Sequence, residues 1–223
     1  MDALRLDRSQ MLGYGELDRA AYNMAIGALL LYGFLVNGVL CYFGQNLIYY
    51  LSGGMYGFFL LIYFGCTILS VVLSSSPSAA VNFIGYNLLV LPIGVLLSIT
   101  VPGFSFQTIQ SALVGTGVFV VLMVAAAYAR PEFFLSLGST LRTALIVTVI
   151  AELVLTLLGL AGNYFDYIIV AIFSLYLGFD WARANSCPAT LRNAILSATQ
   201  IYLDIINIFL RLLMIFGRNN RRR

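Results

Sequence analysis

Apolar stretches long enough to cross a membrane follow one another along most of the chain, separated by short breaks rich in glycine, proline, serine or asparagine. A transmembrane helix needs about 20 consecutive, mostly apolar residues, and no charged residue lies between Arg19 and Arg130. The pattern therefore predicts an all-α membrane protein with seven transmembrane helices and a loop at residues 181–191. The predicted spans are 22–43, 53–73 (or 56–73), 81–101, 109–128, 141–160, 164–180 and 193–216.

The last span differs from the others because polar residues recur along it at a helical period. They follow one another at alternating steps of four and three residues, which places them on one helix face. An Asp or Arg at the bilayer centre costs roughly 2.5–3.5 kcal/mol, so this face must point at other helices or at water. The polar stripe consists of Asn193, Ser197, Gln200, Asp204, Asn207, Arg211 and Arg218, with Met214 as its single apolar member.

Glycines inside two spans predict close packing between helices, because a small residue lets two backbones approach. Those in spans one and four are Gly27, Gly33, Gly38, Gly115 and Gly117.

Composition narrows the class of protein further. Hydrophobic residues make up 61% of the chain, charged residues 9%, and the mean hydropathy is +0.95, so we expect a lipid bilayer around it. The 12 basic residues are all arginines scattered at span ends, which argues against a nucleic-acid partner. Because histidine is absent, any titration between about pH 5 and 8 must come from carboxylates. The three cysteines lack paired spacing, so neither a disulfide framework nor a tightly bound metal or cofactor is expected.

We divide the chain into a polar N-terminal arm at residues 1–21, a seven-helix transmembrane domain at 22–217 and a basic tail at 218–223. Arginines lie in the arm and in alternate loops, which by the positive-inside rule predicts a cytoplasmic N-terminus. The tail then lies on the opposite side, unless the last helix does not cross completely. The short arm without a targeting signal favours a bacterial inner (cell) membrane. The arginines on the predicted cytoplasmic side are Arg5, Arg8, Arg19, Arg130, Arg142, Arg183 and Arg192.

Four carboxylates lie in or beside the last three spans. Glu152 is near the middle of span five and needs a partner, for which Arg211 is a candidate in either a structural or a functional role. Asp166 begins span six and is expected at the membrane interface. Asp180 and Asp204 form the sharper pair, on the two arms of one hairpin. A symmetric hairpin would place Asp204 roughly 13 Å deeper than Asp180, so their contact requires an asymmetric or partly unwound loop.

Several segments of the second half resemble those of the Bax inhibitor family, the transmembrane Bax-inhibitor-motif proteins. They are residues 202–217 (YLDIINIFLRLLMIFG), 173–176 (FSLY), 179–180 (FD), 112–116 (ALVGT) and 136–141 (SLGSTL). The resemblance implies a bundle in which two three-helix layers wrap a central C-terminal helix. It also implies a passive, pH-dependent calcium leak that is controlled by an aspartate pair, here Asp180 and Asp204.

Two departures from the family pattern bear on this reading. Relatives carry an arginine near the end of the last segment, where this chain has Met214, and some carry charge on the second helix, where it has none. Any latch on Asp180 must therefore use Arg183, Arg192 or hydrogen bonds.

The residues alone suggest the same mechanism. Two buried carboxylates in contact share a proton and titrate as a unit, so raising the pH would leave two repelling anions and open a path with oxygen ligands suited to Ca²⁺. Asp180 and Asp204 are thus the predicted gate and transient calcium ligands, and Ca²⁺ is the permeating ion. The predicted lining residues are Ser197, Gln200, Asn207 and Arg211, with Glu152, Arg183 and Arg192 as candidate support.

Other functions remain open at this point. The main alternative is a non-conducting regulator that binds another membrane protein, such as a membrane protease, as some bacterial relatives do. An intramembrane aspartyl protease would also use two carboxylates, but neither Asp180 nor Asp204 lies in a Gly-x-Gly-Asp context. Coupled transport would require an inverted repeat, and none is visible. Because the protease context is missing, we expect no enzymatic activity.

Overall fold

The computed structural model describes residues 16–44, 54–160 and 162–221, and the regular structure in them is helical throughout. A 3₁₀ turn at Val101–Gly103 and a six-residue helix at Pro131–Ser136 lie in connections. The seven long helices are α1 (Arg19–Phe43), α2 (Gly54–Ser74), α3 (Ala79–Thr100), α4 (Phe106–Ala129), α5 (Gly138–Leu157), α6 (Tyr164–Ser186) and α7 (Leu191–Arg221).

All seven long helices contain an apolar window of membrane-spanning length. The prediction of an all-α protein with seven transmembrane helices is confirmed, and the chain is a multi-pass membrane protein. Most of the predicted arm (residues 1–15), the first interhelical break (45–53) and the last two arginines of the predicted tail (222–223) lie outside the described residues.

Helix α6 is longer than predicted. Residues 181–186, predicted as loop, continue the helix to Ser186. Alanine and arginine are strong helix formers, Ala182 and Ala184 are buried, and the Ser186 hydroxyl donates to the carbonyl of Ala182 at 2.9 Å. Only residues 187–190 therefore connect α6 to α7.

Helix α7 also passes its predicted end at residue 216 and the predicted domain boundary at 217, and it reaches Arg221. At the other end of the chain, α1 begins at Arg19, within the predicted arm. Both predicted domain boundaries consequently fall inside helices.

The chain divides into two compact units. The first contains α1, α2, α3 and the beginning of α7 up to Thr199, and the second contains α4, α5, α6 and α7 from Gln200 onward. The grouping of six helices into two sets of three that share the last helix agrees with the predicted architecture.

Helix α3 is the most buried of the first three helices. Its Tyr86 is fully buried, and the hydroxyl donates to the backbone carbonyl of Leu29 on α1 at 2.7 Å. Close approach of α1 and α3 occurs at Gly94, where an added Cβ would lie 2.8 Å from Asn37 Oδ1 and 3.3 Å from Leu40 Cβ. Only glycine therefore fits at this contact without displacing its neighbours.

The close packing predicted from glycine is present at Gly115 and absent at three other described glycines, while Gly33 is buried. A Cβ at Gly115 would lie 3.2 Å from Leu212 Cδ1, so α4 and α7 do pack tightly there. At Gly27, Gly38 and Gly117 nothing lies within 4 Å. These three glycines face open space, which in the membrane is lipid.

The contrast between Gly94 and Gly27 yields a prediction about stability. Gly94→Ala is expected to lower the free energy of unfolding by about 1–3 kcal/mol, because overpacking forces neighbouring atoms apart. Gly27→Ala is its matched control and is expected to be neutral or stabilising by up to about 1 kcal/mol through helix propensity. Thermal unfolding in detergent would measure both. Equal midpoints for the two variants would contradict the described α1 to α3 contact.

Helices α2 and α5 expose long apolar faces. Examples are Phe58, Leu61 and Phe64 on α2, and Leu153 and Leu157 on α5. Exposed apolar area of this extent is unusual on a soluble protein, and contact with lipid accounts for it.

Candidate functional site

The predicted pair of aspartates is present in the second unit. Asp180 on α6 and Asp204 on α7 are 6% and 4% exposed, and their carboxyl groups lie within hydrogen-bonding reach of each other. Asp180 lies closer to Ser186, the end of α6, than Asp204 does to Leu191, the start of α7. The two aspartates thus lie at different distances from the connection between α6 and α7. Their contact therefore needs an asymmetric connection, as predicted from the sequence.

A shared proton fits the geometry of this pair. Asp204 Oδ2 is buried and receives no hydrogen bond from a donor in the described residues. A buried, unsatisfied polar atom is costly, and two buried carboxylates side by side repel each other. One proton held between Asp180 and Asp204 removes both penalties, since it supplies a donor and leaves a single negative charge.

The aspartate pair lines a recess with a volume of about 450 Å³ and both polar and apolar walls. Oxygen atoms from carboxylate and amide side chains border it, and these are the ligands that hard cations such as Ca²⁺ prefer. The recess is bordered by α5, α6 and α7 through Gly138, Arg142, Leu145, Phe173, Tyr176, Phe179, Asp180, Arg183, Gln200, Leu203, Asp204 and Asn207.

Arg183 connects α6 to α7 at this recess. Its guanidinium donates to the side-chain carbonyl of Gln200, and its Nη1 lies 3.9 Å from Asp180 Oδ1. The side chain is 41% exposed, so water screens the longer ion pair and the bond to Gln200 is the more specific contact. Arg183 is therefore placed where a latch on Asp180 would act.

Asn207 lies at the end of the recess along α7. Its amide nitrogen donates to the carbonyl of Leu203 on the same helix at 2.8 Å. Because that bond uses the amide nitrogen, the side chain can offer its carbonyl oxygen to a cation.

A second charged cluster lies further along the same three helices. Arg211 donates to both carboxylate oxygens of Glu152, at 2.8 and 3.1 Å, and to Asp166 Oδ1 at 2.8 Å. Arg218 pairs with the other oxygen of Asp166. We call Glu152, Asp166, Arg211 and Arg218 the arginine cluster. The predicted partnership of Glu152 with Arg211 is confirmed.

The structure gives Asp166 partners that were not predicted from the sequence. This residue, expected at the membrane interface, is 5% exposed and accepts bonds from two arginines. Its position in the first turn of α6 suggested an interfacial side chain. The polar stripe placed Arg218 on the same face as Arg211, but no local pattern predicted that this face meets Asp166.

The beginning of the polar stripe belongs to the first unit. The Ser197 hydroxyl is 3.1 Å from the hydroxyl of Tyr22 on α1, in a buried hydrogen bond. Arg192 Nε donates to the carbonyl of Ser76 at 2.9 Å, and Asn193 Nδ2 donates to the carbonyl of Pro188 at 2.9 Å. These three stripe and support residues thus hold α7 and its preceding connection within the first unit.

Two polar residues of the recess were missed as site residues from the sequence. Tyr176 lies one helical turn before Asp180 on α6, and Arg142 lies one turn into α5. Helical spacing from Asp180 could have identified Tyr176. Arg142 gave no local signal, because its place depends on how α5 packs against α6.

The described residues do not form a permanent metal site. In residues 16–44, 54–160 and 162–221 no group of three or more His, Cys, Asp or Glu side chains could hold a metal ion. Asp180 and Asp204 offer two carboxylates, which suit passing contact with a cation better than a closed coordination shell.

Comparison with known proteins identifies the family of the chain. Residues 16–221 match the model of the family described as inhibitor of apoptosis-promoting Bax1. A search among curated proteins gives no match. The family match spans all seven long helices and both charged groups on α7. The chain therefore belongs to the Bax1 inhibitor family of membrane proteins.

Proposed function

We propose that the protein is a passive calcium leak whose opening depends on pH through Asp180 and Asp204. The single observation that carries the proposal is the buried contact of these two carboxyl groups beside the recess. Membership of the Bax1 inhibitor family supports the same assignment. Calcium ions and the lipid bilayer are the partners that the proposal requires.

At low pH the pair holds a proton, and its hydrogen bond joins α6 to α7. When the pH rises the proton leaves, and two like charges face each other in a poorly solvated site. Their repulsion separates the two helices locally and widens the recess. Oxygen ligands of Asp204, Gln200 and Asn207 then become available to Ca²⁺ along α7.

The arrangement of arginines suggests which side of the membrane senses pH. Arg142, Arg183 and Arg192 lie near the start of α5, the end of α6 and the start of α7. With a cytoplasmic N-terminus these helix ends face the cytoplasm, so the recess would open there.

The proposal assigns no enzymatic activity to the aspartate pair and no tightly bound cofactor to the protein. In an aspartic protease the two carboxyls activate a water molecule. Here the pair is proposed to hold two helices together. Incubation of the reconstituted protein with peptide substrates should therefore leave the peptides uncut.

Calcium influx into dye-loaded proteoliposomes, stepped from about pH 5 to 8, tests the function. The proposal predicts influx that rises with pH and exceeds that of protein-free vesicles. Absence of influx from protein that is demonstrably folded would favour the alternative, a non-conducting regulator that binds another membrane protein such as a membrane protease. Co-purification of such a partner with the inactive protein would establish that alternative.

Loss of Arg183 is expected to increase the leak. Arg183→Gln removes a bond from α6 to Gln200 on α7 and a positive charge at the edge of the recess. After allowance for the exposure of Arg183, the bond contributes about 1 kcal/mol. This corresponds to a factor of about five in the equilibrium between the closed and open states of the gate. We expect calcium influx at about pH 8, where the pair has lost its proton with or without Arg183, to rise by about that factor.

The matched control for Arg183 is Arg130→Gln, which removes an exposed arginine of the same unit that does not border the recess. It should leave influx unchanged. Equal influx through the Arg183→Gln and Arg130→Gln variants would show that Arg183 does not restrain the gate.

A further inference from the structure

The recess ends before the arginine cluster begins. On the three helices that border it, the last lining residues in this direction are Leu145, Phe173 and Asn207. Arg211 follows Asn207 by one turn of α7, and Glu152 lies two turns beyond Leu145 on α5. The cluster thus lies beyond the end of the recess, on the same three helices.

The cluster is also far from the aspartate pair along α6. Asp166 is in the first turn of that helix, whereas Asp180 is near its other end. At 1.5 Å per residue the two aspartates are roughly 20 Å apart along the helix axis. One end of the helix group therefore carries the proton-sharing pair, and the opposite end carries the arginine cluster.

Arg211 is held from two sides. Glu152 on α5 binds its guanidinium through both carboxylate oxygens, and Asp166 on α6 accepts a third bond. Bidentate pairing fixes the guanidinium plane as well as its position. A single side chain on α7 thereby connects three helices immediately beyond the end of the recess.

The charges of the cluster balance, since two arginines face two carboxylates. No net negative charge remains to attract a calcium ion, and passage beyond Asn207 would require Arg211 to separate from the carboxylates that hold it. Arg211 is only 24% exposed, so water weakens these ion pairs only in part.

We infer that Arg211, held by Glu152 and Asp166, closes the end of the recess and is a second barrier to cations in series with the aspartate pair. The inference rests on the proposed function, because a barrier matters only if ions enter the recess. It assigns Arg211 a role in selecting against cations that is distinct from lining the path. Separation of Asp180 from Asp204 admits ions to the recess, and displacement of Arg211 lets them leave.

Sided labelling of a single cysteine tests the barrier without any measurement of calcium. Asn207→Cys is introduced after Cys41, Cys66 and Cys187 have been replaced by serine. A membrane-impermeant thiol reagent is then applied to right-side-out spheroplasts and to inside-out vesicles. The new thiol is expected to react from the recess side only.

Addition of Arg211→Gln is expected to raise the labelling rate from the opposite side by tenfold or more. Arg211→Lys keeps the positive charge between the two carboxylates and should preserve one-sided labelling. Arg130→Gln, an exposed arginine, should preserve it as well. If Arg211→Gln does not fold, Glu152→Gln provides the second variant, with a smaller increase because Asp166 still holds Arg211.

Two results would overturn the inference. One is labelling from both sides while Arg211 is intact, and the other is one-sided labelling that persists in folded Arg211→Gln and Glu152→Gln variants. Neither result depends on calcium flux. One-sided labelling that becomes two-sided, together with no calcium influx through the native protein that retains Asn207, would preserve the barrier and reject the proposed leak.

Discussion

Replacement of Asp204 by asparagine is expected to abolish the response of calcium influx to pH. The amide has nearly the shape of the carboxyl and can donate a hydrogen bond to Asp180, but it cannot ionise. Two unit charges about 4 Å apart repel by about 4 kcal/mol at an effective dielectric constant near 20. Loss of that repulsion is expected to reduce influx at about pH 8 by more than tenfold, to the level of the native protein at low pH.

Asp180→Asn should behave in the same way, because repulsion requires both charges. Glu132→Gln is the matched control, since Glu132 is an exposed carboxylate of the same unit and does not border the recess. Its influx should rise with pH as in the native protein. A pH response that survives in both asparagine variants would exclude the pair as the gate.

Replacement of Asp166 by asparagine is expected to destabilise the protein more than any other change of a single carboxylate outside the pair. Asp166 accepts from Arg211 and Arg218, and its side chain is almost fully buried. Removal of one member of a buried ion pair costs about 3–5 kcal/mol. The expected loss is near the lower end of this range, about 3 kcal/mol. Both arginines are partly exposed, and Arg211 keeps its bonds to Glu152.

Thermal unfolding in detergent would measure this loss, at about 2–4 °C for each kcal/mol in a protein of this size. Glu152→Gln should lower the midpoint less, because Arg211 keeps its bond to Asp166. Glu132→Gln should leave it unchanged. A midpoint for Asp166→Asn equal to that of Glu132→Gln would show that the arginine cluster adds nothing to stability.

The spacing of polar residues made it possible to predict the last helix from the sequence. Polar residues at steps of three and four within an apolar run identify both the helix and the face that avoids lipid. Once that face was known, Asp204 and Arg211 required partners, and the predicted partners were Asp180 and Glu152. Both pairings are present in the structure.

Other features depended on information that a local pattern does not contain. The burial of Asp166 follows from the extension of α7 to Arg221, which brings Arg218 within reach. The bond of Tyr22 to Ser197 joins the first helix to the last, so no local pattern predicts it. Glycine content overestimated close packing at Gly27 because the pattern of small residues does not distinguish a helix contact from lipid.

The most direct test measures the protonation of the aspartate pair and the calcium influx in the same vesicles. Infrared spectroscopy of the reconstituted protein detects the C=O stretch of a protonated carboxyl, and the Asp204→Asn spectrum identifies the contribution of the pair. Calcium influx is measured on the same vesicles across the same pH steps. The account predicts that the carboxyl band disappears over the pH range in which influx appears. Influx that rises while the band persists, or a pair without a protonated carboxyl at low pH, would contradict it.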